Sequence, residues 1–547
     1  MQANKKNSAI LAIVLVLAIC FLYSFNIGKY DLLSPDEPRY SEVAREAAAE
    51  GNWIIPSLNN KVYYEKPPLY FDIIALSGKL AGDFTVTSVR IPGIIIASLL
   101  VGIVAYFTSR KVNFLTGMLS GIILAGTGLF FWMSMKVNLD IPLIFCTTAA
   151  TFLLFDDINS EYSNKAKVLL AFLLMGLATI IKSPIAFLPV LIIVVYALSC
   201  GKKDSLKRIP WFLSFAAGIL PAAIWICLAY LQMGYPYIKV TVVDQILEYS
   251  TGEQGHANPF YYYLTNLPAV ALPWSLFFIP AVYYVYKRRK ELPELVKFSS
   301  IWFVTAFIIF SAVGSKRGIY LLQLYPAFAI ITAWFFYNHF KKTIKEKYSL
   351  VIPVLLLAIS FAGLFVVGLF AGKGLIEKEL EINLSSTPGI LNLLNNSLIF
   401  SLIMTILLIF AAVKRKKPFI FGAVTVLSVS IIVFSKTFFL PAINPYKSER
   451  FLAEALAEQY NKNTQVGLWG SVGRDCGFIF YNKIYFDTEF NDGNSAINFL
   501  SKEGRQILVV NKEKKLYENV PKDIYENFDI SKFRVGSHNM LLLVEKR

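Results

Sequence analysis

Cysteine is scarce in this chain: 5 in 547 residues, so no disulfide framework organises it. Glycine, at 31, and proline, at 24, are unexceptional, which excludes a collagen-like or low-complexity chain. Charge is thin as well. Charged residues make up 16% of the sequence, against about a quarter in an ordinary soluble domain. Acids are the scarcer sign, 37 Asp and Glu against 53 Lys and Arg, for a formal net charge of +16. A nucleic-acid binder would explain that excess, but not 44 Phe and 29 Tyr spread through long uncharged runs. With 56% hydrophobic residues and a mean hydropathy of +0.54, the composition is that of an integral membrane protein with no nucleic-acid partner.

A spanning helix needs about 20 mainly apolar residues, because hydrocarbon cannot satisfy an exposed peptide group. Runs of that kind lie at 8–27, 86–108, 114–133, 141–155, 168–181, 185–199, 211–231, 268–286, 298–313, 320–338, 350–371, 397–413 and 418–437. The expected fold is therefore an α-helical polytopic bundle of about thirteen transmembrane helices. The first run follows Lys5 and Lys6 with no small-residue cleavage site after it, and reads as an anchor rather than a removed signal. Basic residues cluster in alternate short loops, as in Lys202/Lys203/Lys207/Arg208, Lys287–Lys290 and Lys414–Lys417. That set marks the cytoplasmic side and puts the N-terminus there. An odd number of spans then leaves the C-terminus outside.

Beyond residue 437 the composition becomes that of a soluble domain. Residues 448–460 carry a helical pattern, and 465–469, 478–481, 506–510 and 540–544 read as strands. The expected organisation is a membrane domain over 1–437, with external loops at 28–68 and 232–267, and an external α/β domain over 438–547.

The outward loops hold most of the unusual residues. The first contains Ser34-Pro35-Asp36-Glu37-Pro38-Arg39-Tyr40 and then Glu65-Lys66-Pro67-Pro68. Two adjacent carboxylates between prolines could simply cap the helix that follows, with Ser34 or Asp36 as the cap. A Glu-Lys pair with a rigid Pro-Pro exit is harder to explain as a solvated surface. Asp140 closes a short hairpin that begins at Lys136, and Lys182 sits in another before Ser183-Pro184. Lys316 and Arg317 form a third, ahead of Tyr320 and Tyr325. Topology marking would place such cations on the other side, so here they call for an anion, most simply a phosphate. His256, one of three histidines, lies in the longest loop. With Glu65 it would offer two ligands to a divalent metal, and two without a third assign nothing.

Carboxylates for proton transfer and cations for a phosphate suit group transfer from a lipid phosphate. A transporter would concentrate polar residues and broken helices at the midplane, often with an internal repeat, and neither is visible. A polyprenyl-lipid flippase, binding the same phosphate without transferring a sugar, is the alternative from another class.

The stretch Pro35–Tyr40, with Arg45-Glu46 and Gly51-Asn52-Trp53 behind it, resembles the first external loop of membrane glycosyltransferases of the C-type (GT-C) fold. Glu65-Lys66-Pro67-Pro68-Leu69 resembles the branch containing the lipid A 4-amino-4-deoxy-L-arabinose transferases, related to protein O-mannosyltransferases. Gly176-Leu177-Ala178 with Lys182-Ser183-Pro184, His256 before Pro259, and Ser315-Lys316-Arg317 with Tyr325-Pro326 follow in the same order. Ser183 stands where that branch more often has Gly, and Gln323 where it often has Pro. The resemblance implies an inverting transfer from an undecaprenyl-phosphate sugar donor to lipid A, another glycan or a protein. It implies a monomer in a bacterial inner membrane with its active site and C-terminal domain in the periplasm. Carried over by residue, Asp36 is the catalytic acid of the first loop, Glu37 supports it or helps orient the acceptor, and Asp140 is a second functional acid. Arg39, Tyr40, Lys66 and Tyr325 bind substrate. Glu65 and His256 match positions that hold a divalent cation, zinc or magnesium, in a relative. Lys182, Lys316 and Arg317 join the phosphate site on electrostatic grounds alone.

Overall fold

The computed structural model describes residues 4–182, 184–245, 258–344, 346, 348–380 and 388–546. Helix stands in each of the thirteen apolar runs expected above. Among the described residues, nine helices are long and apolar enough to cross a membrane, or eleven if two bent pairs each count as one span. The bent pairs are Phe114–Ala125 with Gly128–Ser134, at 67°, and Tyr262–Val270 with Ser275–Lys287, at 117°. The helices flanking Lys182, Lys165–Thr179 and Leu188–Ser199, have 15 and 12 residues. At 1.5 Å per residue both fall short of the roughly 30 Å of hydrocarbon. The span expected to end at 231 runs on. Gly234, at φ 72°, breaks the Trp211–Ile238 helix, but the chain resumes its coil and continues to Asp244.

The chain divides into two compact units. One comprises Met1–Phe25, Gly93–Met135 and Leu139–Phe438 and contains most of the apolar helices. Large side chains such as Phe21, Phe212 and Phe370 are exposed on it, as lipid contact requires. Close helix approach rests on small residues. A Cβ on Gly176 would lie 2.2 Å from the carbonyl oxygen of Gly218, so the Lys165–Thr179 and Trp211–Ile238 helices meet backbone to backbone there.

The second unit comprises Asn26–Pro92, Lys136–Asn138 and Phe439–Arg547. Thus the first loop packs with the C-terminal segment rather than with the membrane domain to which the sequence division at 437 attached it. Bonds from the first loop explain why. Asn59 Nδ2 donates to the carbonyl of Phe486 at 3.1 Å, and Arg45 donates to the Tyr485 hydroxyl at 2.8 Å. The C-terminal part is a mixed five-stranded sheet. Its strands are β3 (Gln465–Trp469), β4 (Thr488–Phe490), β5 (Gln506–Val510), β6 (Phe528–Val535) and β7 (His538–Glu545). They lie in the order β4-β3-β5-β7-β6, with β3 parallel to β4 and β5 and the other pairs antiparallel. A short ribbon in the first loop supplies β1 (Ser57–Leu58) and β2 (Lys61–Val62). The run at 478–481 is not a strand. Phe478–Asn482 forms a helical turn whose Phe478 N–H is bonded by Glu449 and whose Phe478, Ile479 and Phe480 are buried. Tertiary contacts decide so short an apolar run, which carries no usable period.

Candidate active site

The Asp36–Glu50 helix begins directly after Pro35, and no side chain caps it. Asp36 is therefore not a cap. It sits with Glu37 in the first turn, where the helix dipole favours both charges. The two neighbours then diverge.

Asp36 turns to Arg39, whose Nη2 donates to Asp36 Oδ1 at 2.7 Å, while Nη1 donates to Glu65 Oε2 at 2.9 Å and to the carbonyl of Gly473. Tyr63 donates its hydroxyl to the same Glu65 oxygen at 3.2 Å. The guanidinium is 11% exposed, whereas both carboxylates are 43% exposed. Burial disfavours its charge, but Tyr63, Tyr40, Glu65 and Asp36 more than offset that and raise its pKa. One buried cation thus holds two half-exposed carboxylates. Tyr40, by contrast, is buried, its ring tilted against Phe71 at 5.5 Å between centres, with the Arg39 cation over its own ring. Lys66 follows Glu65 and is half-buried, and the Leu69–Ala81 helix starts directly after Pro68.

Glu37 turns inward. Arg90 Nε and Nη2 donate to its two oxygens at 2.9 Å each, and the N–H groups of Leu33 and Val137 donate to Oε2 and Oε1 at 2.9 and 3.0 Å. Arg90 spends its remaining donors on the carbonyls of Ile27, Tyr30 and Asp31. All four acceptor positions of Glu37 and all five donors of Arg90 are used within the protein. Glu37 accordingly positions the loop around it, and the catalytic role expected for it has no free oxygen to rest on. The bond to Val137 fixes Lys136 in the same unit. Burial lowers the pKa of Lys136, Glu37 and Asp36 pull it back up, and Arg90 and Lys447 add to the lowering.

The other unit holds the second group of expected residues. Asp140 opens the Asp140–Ile158 helix, is buried, and accepts an ion-paired hydrogen bond from Lys182 Nζ. The Lys182 ammonium also lies 5.6 Å from the Tyr320 ring centre. Lys316 is buried and donates to the carbonyl of Asn258 at 3.0 Å, while Asn258 returns a bond to the carbonyl of Lys316 at 3.1 Å. Arg317 is exposed, and its carbonyl accepts from Tyr263 at 3.2 Å. Tyr325 is fully buried, and among the described residues its hydroxyl finds no partner. Gln323 accepts from Thr147 at 2.8 Å, a bond that a proline there could not make.

His256 and Ser183 lie outside the described residues. Glu65 Oε2 is taken up by Arg39 and Tyr63, and among the described residues no group of three His, Cys, Asp or Glu converges. The described residues alone do not complete a cation site. Sequence reasoning missed Arg90, Tyr63, Glu449 and Gly473. An arginine in the first turns of an apolar run was a signal for the first. Nothing in the chain order pointed to the last two, which come from over four hundred residues away.

Comparison with known proteins places the fold. The family described as dolichyl-phosphate-mannose-protein mannosyltransferase matches residues 65–226. An undecaprenyl phosphate-α-4-amino-4-deoxy-L-arabinose arabinosyl transferase of Shewanella sediminis is 30% identical over 337 residues, 60% of each chain. An uncharacterized protein of Aquifex aeolicus is 26% identical over 341 residues, 61% of this chain and 65% of that one. The matches thus span about three fifths of the curated relatives. The crystal structure of ArnT from Cupriavidus metallidurans bound to undecaprenyl phosphate superposes with a TM-score of 0.77 over 97% of both chains, at 16% identity. The chain is a multi-pass membrane protein with the GT-C fold of that structure and a C-terminal α/β sheet.

Proposed function

We propose that this chain is an inverting glycosyltransferase that moves an aminoarabinose-like sugar from undecaprenyl phosphate to lipid A or a related envelope acceptor. The observation that carries the reading is the Arg39 clamp, which leaves Asp36 and Glu65 half-exposed and fixed within the motifs that resemble the aminoarabinose branch. The names of the relatives point to the same donor.

In this reading the acceptor oxygen attacks the anomeric carbon and the polyprenyl phosphate departs. A lipid A phosphate is already an anion and needs no base, whereas a hydroxyl acceptor would lose its proton to Asp36. Lys66 is the candidate for the donor phosphate, and Lys182, Lys316 and Arg317 are, on electrostatic grounds, candidates for holding a phosphate within their own unit. Lys182 would have to exchange Asp140 for the phosphate. The distribution of basic loops supports a cytoplasmic N-terminus, and the composition an inner-membrane location. The protein works as a monomer in this scheme.

A second reading, protein O-glycosylation from a polyprenyl-phosphate sugar, is favoured by the mannosyltransferase family match over 65–226. Mass spectrometry of lipid A and envelope glycoproteins from a deletion strain separates the two. Loss of a lipid A sugar is expected. Loss of protein glycans alone would install the second reading, and no change in either would remove both.

A further inference from the structure

The C-terminal segment reaches the carboxylates held by Arg39. β3 has β4 on one side and β5 on the other, so the loop after β3 leaves the carboxyl end of the parallel strands where strand order reverses. Loops at that point ordinarily receive a ligand. Here the residues 470–477 receive the first loop. Asp475 Oδ2 stiffens the turn by accepting from the Ser471 N–H at 2.9 Å and from Asn511 Nδ2 at 2.7 Å. The carbonyl of Gly473 then takes a bond from Arg39, the residue that holds both Asp36 and Glu65. A Cβ on Gly473 would lie 2.4 Å from Glu65 Oε1, and one on Gly477 would lie 2.7 Å from Pro38 Cγ. A second tie comes from Glu449, which is buried. Its Oε1 accepts from the Ser34 hydroxyl and its Oε2 from the Phe478 N–H at 2.9 Å. Ser34 lies two residues before Asp36.

We propose that the C-terminal segment is a working part of the glycosyltransferase site, in which Gly473 and Glu449 are positioning residues that set the orientation of Arg39, Glu65 and Asp36. The assignment of transfer chemistry rests on the function proposed above; the positioning itself does not. The carbonyl and absent side chain of Gly473 fix one edge of the clamp. The bond from Ser34 to Glu449 fixes the entry of the chain into Asp36. Positioning of this kind acts on the reaction step more than on substrate capture, because the substrate is held by other groups.

The full-length protein in detergent, given undecaprenyl phosphate-α-4-amino-4-deoxy-L-arabinose and lipid A, provides the test. Gly473→Ala is expected to lower kcat about tenfold with KM for the donor changed less than about twofold. Glu65→Asp withdraws the carboxylate from the added methyl, so the penalty of Gly473→Ala should shrink to about threefold or less in that background. Glu458→Gln, on an exposed face of the same segment, should leave turnover unchanged. Hydrogen exchange supplies a readout that needs no reaction. Gly473→Ala and Glu449→Gln should speed exchange in 30–66 and leave 140–158 as it was. An equal penalty in both Glu65 backgrounds, or unchanged turnover and exchange, would overturn the proposal. Wild-type protein that transfers no sugar but shows the exchange response would refute the proposed function and keep the positioning role.

Discussion

Asp36 and Glu37 are adjacent on one helix, and each binds an arginine, yet the two arrangements differ in what they leave over. Arg90 and Glu37 are 0% and 2% exposed and exhaust each other and the surrounding backbone. Arg39 is nearly as enclosed, but its partners Asp36 and Glu65 each present close to half of the side chain to the outside. Successive helix residues point about 100° apart, so one turn of helix can send one acid into the protein and the other outward. A saturated ion pair organises backbone, and an unsaturated one is available for chemistry.

The largest expected effect tests the first half of that contrast. Arg90→Leu leaves Glu37 buried without its cation and strips partners from three carbonyls. It should destabilise the fold by about 3–5 kcal/mol, the usual cost of breaking a buried pair from one side. Thermal unfolding in detergent reads this directly. A variant that keeps its melting temperature and loses only transfer would make Glu37 a reacting group instead. The next effect tests the other half. Asp36→Asn keeps its shape at a half-exposed position, so unfolding should barely move. Transfer to a hydroxyl acceptor should fall about 100-fold or more, while transfer to a phosphate acceptor survives in part. Full activity on both acceptors would remove Asp36 from the chemistry.

Much of the membrane part was legible because the bilayer imposes one rule on every span. A run of apolar residues has to become helix, and the thirteen runs do. The lengths were harder to read, since the short helices around Lys182 and the extension past Gly234 depend on packing rather than on hydropathy. Motif residues were legible as candidates, but their partners were not. That Asp36, Glu65 and Gly473 meet on Arg39 joins three segments distant in sequence, and no local pattern encodes such a meeting. Likewise, the adjacency of Asp36 and Glu37 suggested a pair acting together, and only burial separates their roles.

A third acid on the same helix sharpens the comparison through pH. Glu46 is buried and accepts from the N–H groups of Asn59 at 2.7 Å and Asn60 at 3.3 Å. Burial, with Glu42 adding, pushes its carboxyl up to about 7 despite those bonds. Its folded pKa stands above the unfolded value, so between roughly pH 4.5 and 7 the folded state holds more protons. Stability from this group therefore falls as pH rises through that window, opposite to the ordinary acid effect. Glu46→Gln should flatten the curve and raise stability at pH 8 by on the order of 1–3 kcal/mol, with no loss at pH 4. A melting temperature that responds equally to the substitution at both pH values would mean that the carboxyl is not protonated in the folded protein.

The smallest effect concerns the pair in the other unit, and it asks whether Lys182 belongs with the saturated arrangement or the available one. Its side chain is 16% exposed, more than either arginine, while Asp140 at 11% falls between Glu37 and the half-exposed carboxylates. If Asp140 only restrains Lys182 until a phosphate arrives, then the carboxylate competes with the ligand. Asp140→Asn should in that case tighten binding of undecaprenyl phosphate by about threefold, a gain near 0.6 kcal/mol. Lys66→Ala should weaken the same binding by about tenfold, since a lost point charge is not replaced. Binding of the lipid phosphate is the right readout for both, because it is separate from any role of Asp140 in turnover. Weaker binding in Asp140→Asn would mean that the carboxylate orients Lys182 rather than competing for it, and the pair would then act on the phosphate as a unit.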